Sequence, residues 1–392
     1  MSLLRTAIFL LAFTTFVGAI HYYLWHRLLR ATQTGDRLQR IGTRVLVGFG
    51  IAMPSALFLV QLLPRSIGSF ASFVVYTWMG FAGLLASCLI ASELPRLALT
   101  LVSRLRSGQP IDVARRVFLS RIIAGVAGVV TLGLSGAGVV EALGEVALQR
   151  VKVRLRKLPK DMSGLRIVQL TDLHIGPMIG RAWLEGIVAR VNALDADIVV
   201  ITGDLVDGSV EALRDHIAPL AGLRSKLGVY FVTGNHEYYS GVTSWVEHLG
   251  RLGLRVLRNE RVTIGEGASS FDLAGVDDHT GGQFEKGHGA DVPKALAGRD
   301  AGRECILLAH QPKEIFEASK LGVGLQISGH THGGQVFPAT LLVHLQQPFV
   351  AGLDRLGDTQ IYVSRGTGYW GPPMRVAAPA EITLIEVMSE MV

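Results

Sequence analysis

The sequence predicts two regions of different fold class: a helical membrane region, residues 1–145, and an α/β domain, residues 150–392. Hydrophobic residues make up 49% of the 392 residues and charged residues only 18%, a balance too apolar for a soluble enzyme. Nearly all of the apolar excess precedes residue 145. From about residue 165 onward, short apolar strands alternate with helices, and this alternation is typical of an α/β sheet.

Four apolar stretches in the first region are long enough to cross a bilayer, which takes about 20 helical residues. They cover residues 7–25, 45–63, 70–91 and 122–140. Pro54 in the second stretch and the glycines of the fourth are tolerated in membrane helices, where neighbouring helices restore lost contacts. The sequence therefore predicts about four transmembrane helices, with three as the alternative.

The arginines between the predicted spans indicate an orientation in the membrane. The second connecting loop carries Arg65 alone, whereas the first and third carry many arginines. These are Arg27, Arg30, Arg37, Arg40 and Arg44 in the first loop, and Arg96, Arg104, Arg106, Arg115, Arg116 and Arg121 in the third. We therefore expect loops one and three in the cytoplasm, and both termini, with the C-terminal domain, on the extracytoplasmic side of a multi-pass cell-membrane protein.

Two basic stretches bear on this topology. Residues 115–119, Arg-Arg-Val-Phe-Leu, precede an apolar run and are similar to a twin-arginine export signal; the alternative is a simple basic flank. The second stretch follows the last span and comprises Arg150, Lys152, Arg154, Arg156 and Lys157. Its charges alternate with apolar residues as in a half-buried strand, which places them in the folded domain. A cytoplasmic domain remains the alternative topology.

Several classes of function are disfavoured by composition. The net charge of +6 comes largely from arginines beside the apolar stretches, and no basic stripe interleaved with aromatic residues indicates nucleic-acid binding. The spans contain almost no charged residue, which argues against a transporter. Cys88 lies in an apolar run and Cys305 in an apolar strand, so no disulfide is expected. No protein partner is predicted. The protein is expected to contact the lipid bilayer.

Five predicted strands end in side chains that bind metals. The strand ends are Asp172-Leu173-His174, Gly203-Asp204-Leu205-Val206-Asp207, Gly234-Asn235-His236-Glu237, His310, and Gly329-His330-Thr331-His332. A single aspartate at such a position is more often a turn or a helix cap. Ligands of open α/β sheets bind beyond the carboxyl ends of the strands, so all five ends are expected to converge on one site.

These five motifs, in this order, resemble the calcineurin-like metallophosphoesterase superfamily over about residues 165–387. The resemblance implies a four-layer α-β-β-α sandwich and the hydrolysis of a phosphate ester. Downstream, Gly333-Gly334-Gln335, residues 364–368 and Pro372-Pro373-Met374-Arg375 look like a bacterial membrane- or wall-associated branch of that superfamily.

The resemblance also implies two divalent metal ions. Asp172, His174 and His332 would bind one ion; Asn235, His310 and His330 would bind the other; Asp204 would bridge them, and a hydroxide shared by both ions would be the nucleophile. Mixed imidazole and carboxylate ligands suit Mn, Fe, Zn or Co better than Mg. Two such ions about 3.5–4 Å apart can clamp the attacking and leaving oxygens of an in-line displacement.

Among the remaining motif residues, His236 is expected to face the substrate, and Glu237 is expected to support its loop. In the family scheme His236 stabilises or protonates the leaving oxygen, and Asp207 orients the His236 imidazole. Arg365 and Arg375 are candidate phosphate ligands, because the guanidinium fork suits phosphate oxygens. For both arginines, a structural or surface ion pair is the favoured alternative.

The predicted function is the metal-dependent hydrolysis of a phosphodiester, phosphomonoester or pyrophosphate at the extracytoplasmic membrane face. Because the spans confine the hydrolase to the membrane, a lipid-linked phosphate or pyrophosphate is the favoured substrate. The alternative is a catalytically silent, membrane-anchored scaffold or sensor that keeps its metal site for structure. His236 and Asp207 argue against that alternative, since a silent protein needs no side chains that face substrate.

Overall fold

The computed structural model describes residues 3–107 and 112–390, and contacts between these residues divide the chain into two compact units. The helical unit comprises Met1–Leu143 and a short distant segment, Gly371–Val376. The sheet unit comprises Gly144–Trp370 and Ala377–Val392. Nothing in the sequence pattern indicated that residues 371–376 would group with the N-terminal helices.

The described part of the helical unit is built from helices of 15 to 31 residues. They are α1 (Leu3–Trp25), α2 (Asp36–Leu59), α3 (Arg65–Ala91), α4 (Glu93–Ser107) and α5 (Val113–Leu143). A π-helical turn, His26–Arg30, continues α1, and a 3-10 turn, Val60–Leu62, follows α2. Pro54 lies inside α2 without ending it.

Three helical stretches among the described residues are long and apolar enough to cross a membrane: Ala7–Arg30, Arg65–Ala98 and Val113–Leu143. They contain the first, third and fourth predicted spans. The second predicted span, residues 45–63, coincides with α2 and the turn after it, which are not among the three. The side chains of Leu57, Phe58 and Gln61 in this span lie outside the described residues.

Two buried side chains of the helical unit, His21 and Arg27, have polar partners. The indole Nε1 of Trp78 donates to Nε2 of His21 (3.0 Å), and Nδ1 of His21 donates to the carbonyl of Val17 (2.8 Å). Both ring nitrogens of His21 are therefore occupied, one as an acceptor and the other as a donor. Arg27 forms an ion pair with Glu93, which also accepts from Tyr23 Oη (3.0 Å).

Segment 371–376 packs against two helices of its unit at glycine positions. A Cβ on Gly80 of α3 would lie 2.7 Å from Sδ of Met374. A Cβ on Gly138 of α5 would lie 2.9 Å from Cγ2 of Val376, and the Arg375 backbone N–H donates to the Gly138 carbonyl (2.9 Å). Only glycine permits this close approach of backbone to helix.

The sheet unit alternates strands and helices in the predicted manner. Its strands are β1 (Ala147–Leu155), β2 (Leu165–Leu170), β3 (Ile198–Ile201), β4 (Val229–Phe231), β5 (Arg255–Val256), β6 (Glu260–Glu266), β7 (Ser269–Gly275), β8 (Cys305–Leu308), β9 (Leu325–Ser328), β10 (Gly352–Leu356), β11 (Thr359–Val363) and β12 (Glu381–Ser389). Its helices are α6 (Arg181–Asn192), α7 (Val210–Ile217), α8 (Asn235–Ser240), α9 (Val242–Arg251), α10 (Val292–Ala295), α11 (Ile315–Lys320) and α12 (Ala339–Val343).

The strands form two six-stranded sheets. The first has the order β1-β12-β2-β3-β4-β5, in which β2 to β5 run parallel; the second has the order β10-β11-β9-β8-β7-β6, in which β7, β8, β9 and β11 run parallel. Because parallel neighbours end at the same edge, each sheet presents several carboxyl ends together.

The two sheets pack face to face, and helices cover the outside. In β8, Ile306 and Leu308 face the core between the sheets, whereas Cys305 and Leu307 pack with residues of α10 and α11. This period of two is the expected alternation of a strand buried on both faces. Both cysteines are free, and Cys305 is a core residue. The predicted four-layer α-β-β-α sandwich is confirmed.

The glycine contacts of segment 371–376 predict how substitutions at Gly80 will behave. Gly80→Leu should displace the segment from α3, because a larger side chain overlaps Met374 and Pro372. Arg375 is only 2% exposed, so trypsin should cleave after Arg375 in this variant but not in the wild type. Gly83→Leu is the control, since a Cβ at Gly83 meets nothing within 4 Å. Equal protection of Gly80→Leu and Gly83→Leu would contradict the packing described.

Candidate metal centre

The carboxyl ends of five strands, three from one sheet and two from the other, deliver the predicted metal ligands. Asp172 and His174 follow β2, Asp204 follows β3, Asn235 follows β4, His310 follows β8, and His330 and His332 follow β9. A hydrogen bond joins the two sheets at this edge: the His330 backbone N–H donates to the Asp172 carboxylate (3.0 Å). The convergence expected from the sequence is therefore present in the fold.

The backbone turns sharply at most of these ligands. Five of them adopt the left-handed conformation, with φ of 52° at Asp172, 49° at His174, 51° at Asp204, 71° at His330 and 50° at His332. Each such residue costs about 1–2 kcal/mol, because its Cβ crowds the following carbonyl oxygen. Strain of this kind persists only where the surrounding structure holds it, and it concentrates at functional sites.

The first group of candidate ligands is Asp172, His174 and His332, whose ligating atoms all lie within 4.8 Å of one another. Nε2 of His174 lies 3.0 Å from Nε2 of His332, and Nε2 of His332 lies 3.3 Å from Oδ1 of Asp172. Two imidazole nitrogens that face each other so closely require a proton or a cation between their lone pairs.

The second group is Asp204, His310 and His330. Oδ2 of Asp204 lies 3.1 Å from Nε2 of His310, and that nitrogen lies 3.2 Å from Nδ1 of His330. The same oxygen lies 4.0 Å from Nε2 of His174 in the first group. Asp204 therefore stands between the two groups.

Asn235 provides an independent test of whether a cation fits here. Its Oδ1 is buried and has no hydrogen-bond partner among the described residues. A buried amide oxygen without a donor is costly unless something else satisfies it, and a divalent cation is such a partner. The orphaned oxygen and the donor set of imidazoles and carboxylates both fit a transition-metal site.

His236 and Asp207 form a close pair beside the ligands. Nδ1 of His236 donates to Oδ1 of Asp207 (2.5 Å), and Asp207 also lies 3.2 Å from Nδ1 of His174. Burial alone would lower the pKa of His236, but the carboxylates of Asp204 and Asp207 outweigh it and raise the pKa to about 9. Burial opposes ionisation of Asp207, yet His174 and His236 keep its pKa below the ordinary value. Asp207 thus holds the imidazole rings of both His236 and the candidate ligand His174.

Glu237 holds the loops of the site together. Its buried carboxylate accepts from the backbone N–H groups of Asp204 (3.0 Å), Leu205 (2.8 Å) and Gly234 (2.6 Å). Burial, followed by the charge of Asp204, raises the pKa of Glu237 to about 8. The loops after β3 and β4 are therefore fixed to one side chain, which agrees with the expected supporting role.

The two candidate arginines lie in different units. Nη1 of Arg365 pairs with Oε2 of Glu381 (3.1 Å), and Arg365 Cγ lies 3.0 Å from the position of a Cβ on Gly333, next to His332. Arg375 belongs to segment 371–376 of the helical unit and is buried there. Arg365 thus forms a structural ion pair, which the sequence analysis gave as the alternative to phosphate binding. Phosphate binding by either arginine stays a prediction.

Aromatic side chains flank His236, and sequence reasoning missed them. The rings of Tyr239 and Trp370 have centroids 5.0 Å and 5.6 Å from that of His236. Gln335 fixes the Trp370 backbone, accepting from its N–H (3.0 Å) and donating to its carbonyl (2.8 Å). Gln335 lies in one of the stretches that resemble a branch of the superfamily, and Trp370 lies between two others. This resemblance was the only sequence signal that pointed to these two residues.

A two-sheet sandwich with this constellation at its strand ends defines the class of metal-dependent phosphoester hydrolases. Residues 165–334 match the family described as calcineurin-like phosphoesterase. The "Transmembrane protein with metallophosphoesterase domain" of Danio rerio is 38% identical over 405 residues, which cover 97% of this chain and 90% of that protein. The chain therefore belongs to the calcineurin-like phosphoesterase family and is a phosphoester hydrolase.

Two further relatives show the breadth of the similarity. The Bos taurus protein of the same description is 39% identical over 352 residues, covering 86% of this chain and 79% of that protein. A protein of Helicobacter pylori described as "Uncharacterized metallophosphoesterase" is 34% identical over 380 residues, covering 93% of this chain and 95% of that protein. The similarity thus extends to animals and is not confined to a bacterial branch.

The contacts of Glu237 predict the effect of Glu237→Gln. An amide places a donor where three backbone N–H groups converge, so stability should fall by about 1–3 kcal/mol. We also expect less Mn²⁺ bound per chain, because the Asp204 loop loses its support. Thermal unfolding and elemental analysis measure the two effects. Glu247→Gln, an exposed change on α9, is the matched control; equal unfolding temperatures for the two variants would contradict the role given to Glu237.

Proposed function

We propose that this chain hydrolyses a membrane-held phosphate ester with two divalent metal ions bound at the strand ends. Asp172, His174 and His332 would hold one ion. The second would be held by Asn235, His310 and His330, and Asp204 would bridge the two. The observation that carries the proposal is the position of Asp204 between two ligand groups, beside the orphaned Asn235 oxygen.

The chemistry divides between the ions and the protein. When bound, such ions supply positive charge at the phosphoryl oxygens and acidify a water for attack on phosphorus. Asp204 uses one oxygen to accept from the His236 backbone N–H (2.9 Å) and keeps the other for the ligand groups. Asp207 holds the His174 ring through Nδ1 and so directs Nε2 inward.

His236 is proposed as the residue that stabilises or protonates the leaving oxygen. Asp207 occupies its Nδ1, so Nε2 is the nitrogen available to a substrate. Tyr239 and Trp370 flank the ring and limit how far it can rotate. A positioned imidazole of this kind contributes about 10²–10⁴-fold to a rate by proton transfer.

The proposed setting is a multi-pass protein of the cell membrane with an extracytoplasmic sheet unit. The membrane-length helices support the membrane setting. The extracytoplasmic side follows from the four-span arrangement, in which α2 also crosses the bilayer and the arginine-poor loop lies between the second and third spans. A hydrolase confined to the bilayer meets membrane-held esters at far higher local concentration than dilute solutes. We therefore propose a lipid-linked phosphodiester or pyrophosphate as the substrate class.

The role of His236 predicts a dependence on the leaving group. His236→Asn should bind Mn²⁺ as the wild type does, yet lose about 10²–10⁴-fold in turnover of an alkyl phosphodiester. The loss should be smaller with bis(p-nitrophenyl) phosphate, because p-nitrophenolate departs without a proton. His248→Asn on α9 is the control and should match the wild type. Equal losses with both esters would contradict proton donation, and no hydrolysis of any ester by the metal-loaded wild type would favour the silent scaffold.

The arginine distribution predicts the side on which the C-terminus lies. A C-terminal fusion to alkaline phosphatase should be active in a bacterial host, because that reporter folds only outside the cytoplasm. A C-terminal fusion to a fluorescent protein that matures only in the cytoplasm should stay dark. The opposite pair of results would place the sheet unit in the cytoplasm.

A further inference from the structure

A segment without charge follows the last two metal ligands. Residues 335–353 contain no Asp, Glu, Lys or Arg over 19 positions. They hold α12, whose apolar side chains are exposed: Leu341 is 60% exposed, Leu342 65% and, just beyond the helix, Leu345 82%. Phe337 ahead of the helix is 50% exposed. Exposed apolar clusters of this kind mark interaction surfaces in soluble domains.

The uncharged segment is fixed to the metal loops. Thr340 Oγ1 donates to the carbonyl of Gly333, next to His332 (3.0 Å). Thr331 Oγ1, between the ligands His330 and His332, donates to the carbonyl of Val350 (2.6 Å). The exposed apolar side chains of Leu341, Leu342 and Leu345 therefore lie between two residues, Thr340 and Val350, that are hydrogen-bonded to the loop of the metal site.

The same segment also contacts Trp370, one of the two aromatic residues that flank His236. Gln335, its first residue, forms the pair of hydrogen bonds with the Trp370 backbone. Trp370 is 53% exposed, and the next residue, Gly371, begins the segment that groups with the helical unit. Gln335, the first residue of the uncharged segment, is thus bonded to Trp370. Trp370 is the last residue before the chain enters the helical unit, which carries the membrane-length helices.

We propose that residues 335–353 lie in the polar–apolar interface of the bilayer and present bilayer-embedded phosphoesters to the metal site. The occupant of the apolar surface is the lipid layer itself, because three membrane-length helices in the same chain confine the protein to a bilayer. Leucine and phenylalanine are among the side chains that enter such an interface from the apolar face of a surface helix. This inference rests on the proposed function and adds the surface through which the substrate class is selected.

The test compares two substrates that share a leaving group. Full-length protein in lipid nanodiscs is given bis(p-nitrophenyl) phosphate in solution, or the p-nitrophenyl ester of phosphatidic acid within the same bilayer. Leu342→Asp with Leu345→Asp should lower hydrolysis of the lipid ester at least about tenfold, because carboxylates oppose entry into the interface. Hydrolysis of the soluble ester should not change, since neither leucine contacts a ligand.

Leu227→Asp is the matched control. Leu227 is also an exposed leucine, 38% exposed, but it precedes β4 and so lies at the amino edge of the sheet, opposite the ligands. This variant should hydrolyse both esters as the wild type does. Equal effects of the α12 variant on both esters, or no effect on either, would overturn the proposal. No hydrolysis of either ester by the wild type would refute the proposed function and leave the lipid contact to the next measurement.

A fluorescent probe tests the lipid contact without relying on activity. Leu345→Cys is labelled with a polarity-sensitive fluorophore in a Cys88→Ala background; Cys305 is kept, because burial raises the pKa of its thiol to about 12. We expect quenching by lipids with brominated acyl chains, and none for the same label at Leu227→Cys. A probe at residue 345 that stays in water would overturn the proposal. A probe that is shielded but not quenched would also overturn it, in favour of a protein partner or a second copy.

Discussion

The geometry of the site depends on the carboxylate of Asp204. One of its oxygens accepts from the His236 backbone N–H, and the other lies within about 4 Å of imidazoles from both ligand groups. The backbone of Asp204 is held in turn by Glu237, which also binds the loop after β4. His236, the two candidate ligand groups and Glu237 are therefore connected through one buried side chain, and a shift of the Asp204 loop would move all of them.

The convergence of the candidate ligands could be predicted from the sequence because it follows from strand topology. Parallel strands end at a common edge, so polar residues that directly follow strands must approach each other wherever the strands pair. The face-to-face packing of two sheets could be expected only from the family resemblance, since the strand pattern does not specify a second sheet. Similarly, Cys305 is recognisable as a core residue from the apolar strand around it.

What escaped prediction depends on contacts between distant parts of the chain. The wall of Tyr239 and Trp370 forms because Gln335 fixes a residue 35 positions later. The second partner of Asp207, His174, is visible only once β2 and β3 are neighbours. Segment 371–376 groups with the helices through glycine contacts that leave no periodic signal in the sequence. Periodicity reports local structure and strand ends, but it carries no information on which loops meet.

Segment 371–376 also affects whether the sheet unit can exist alone. The chain passes between the units three times, after Leu143, after Trp370 and after Val376. A single proteolytic cut between α5 and β1 would not shed a free catalytic domain, because the later segment would still be docked on Gly80 and Gly138. A truncated protein that begins at residue 144 would instead carry Pro373 and Met374, both buried in the intact chain, without their helical partners. The helical unit therefore supplies the packing partners of residues 371–376, and one cut at the first junction leaves that packing in place.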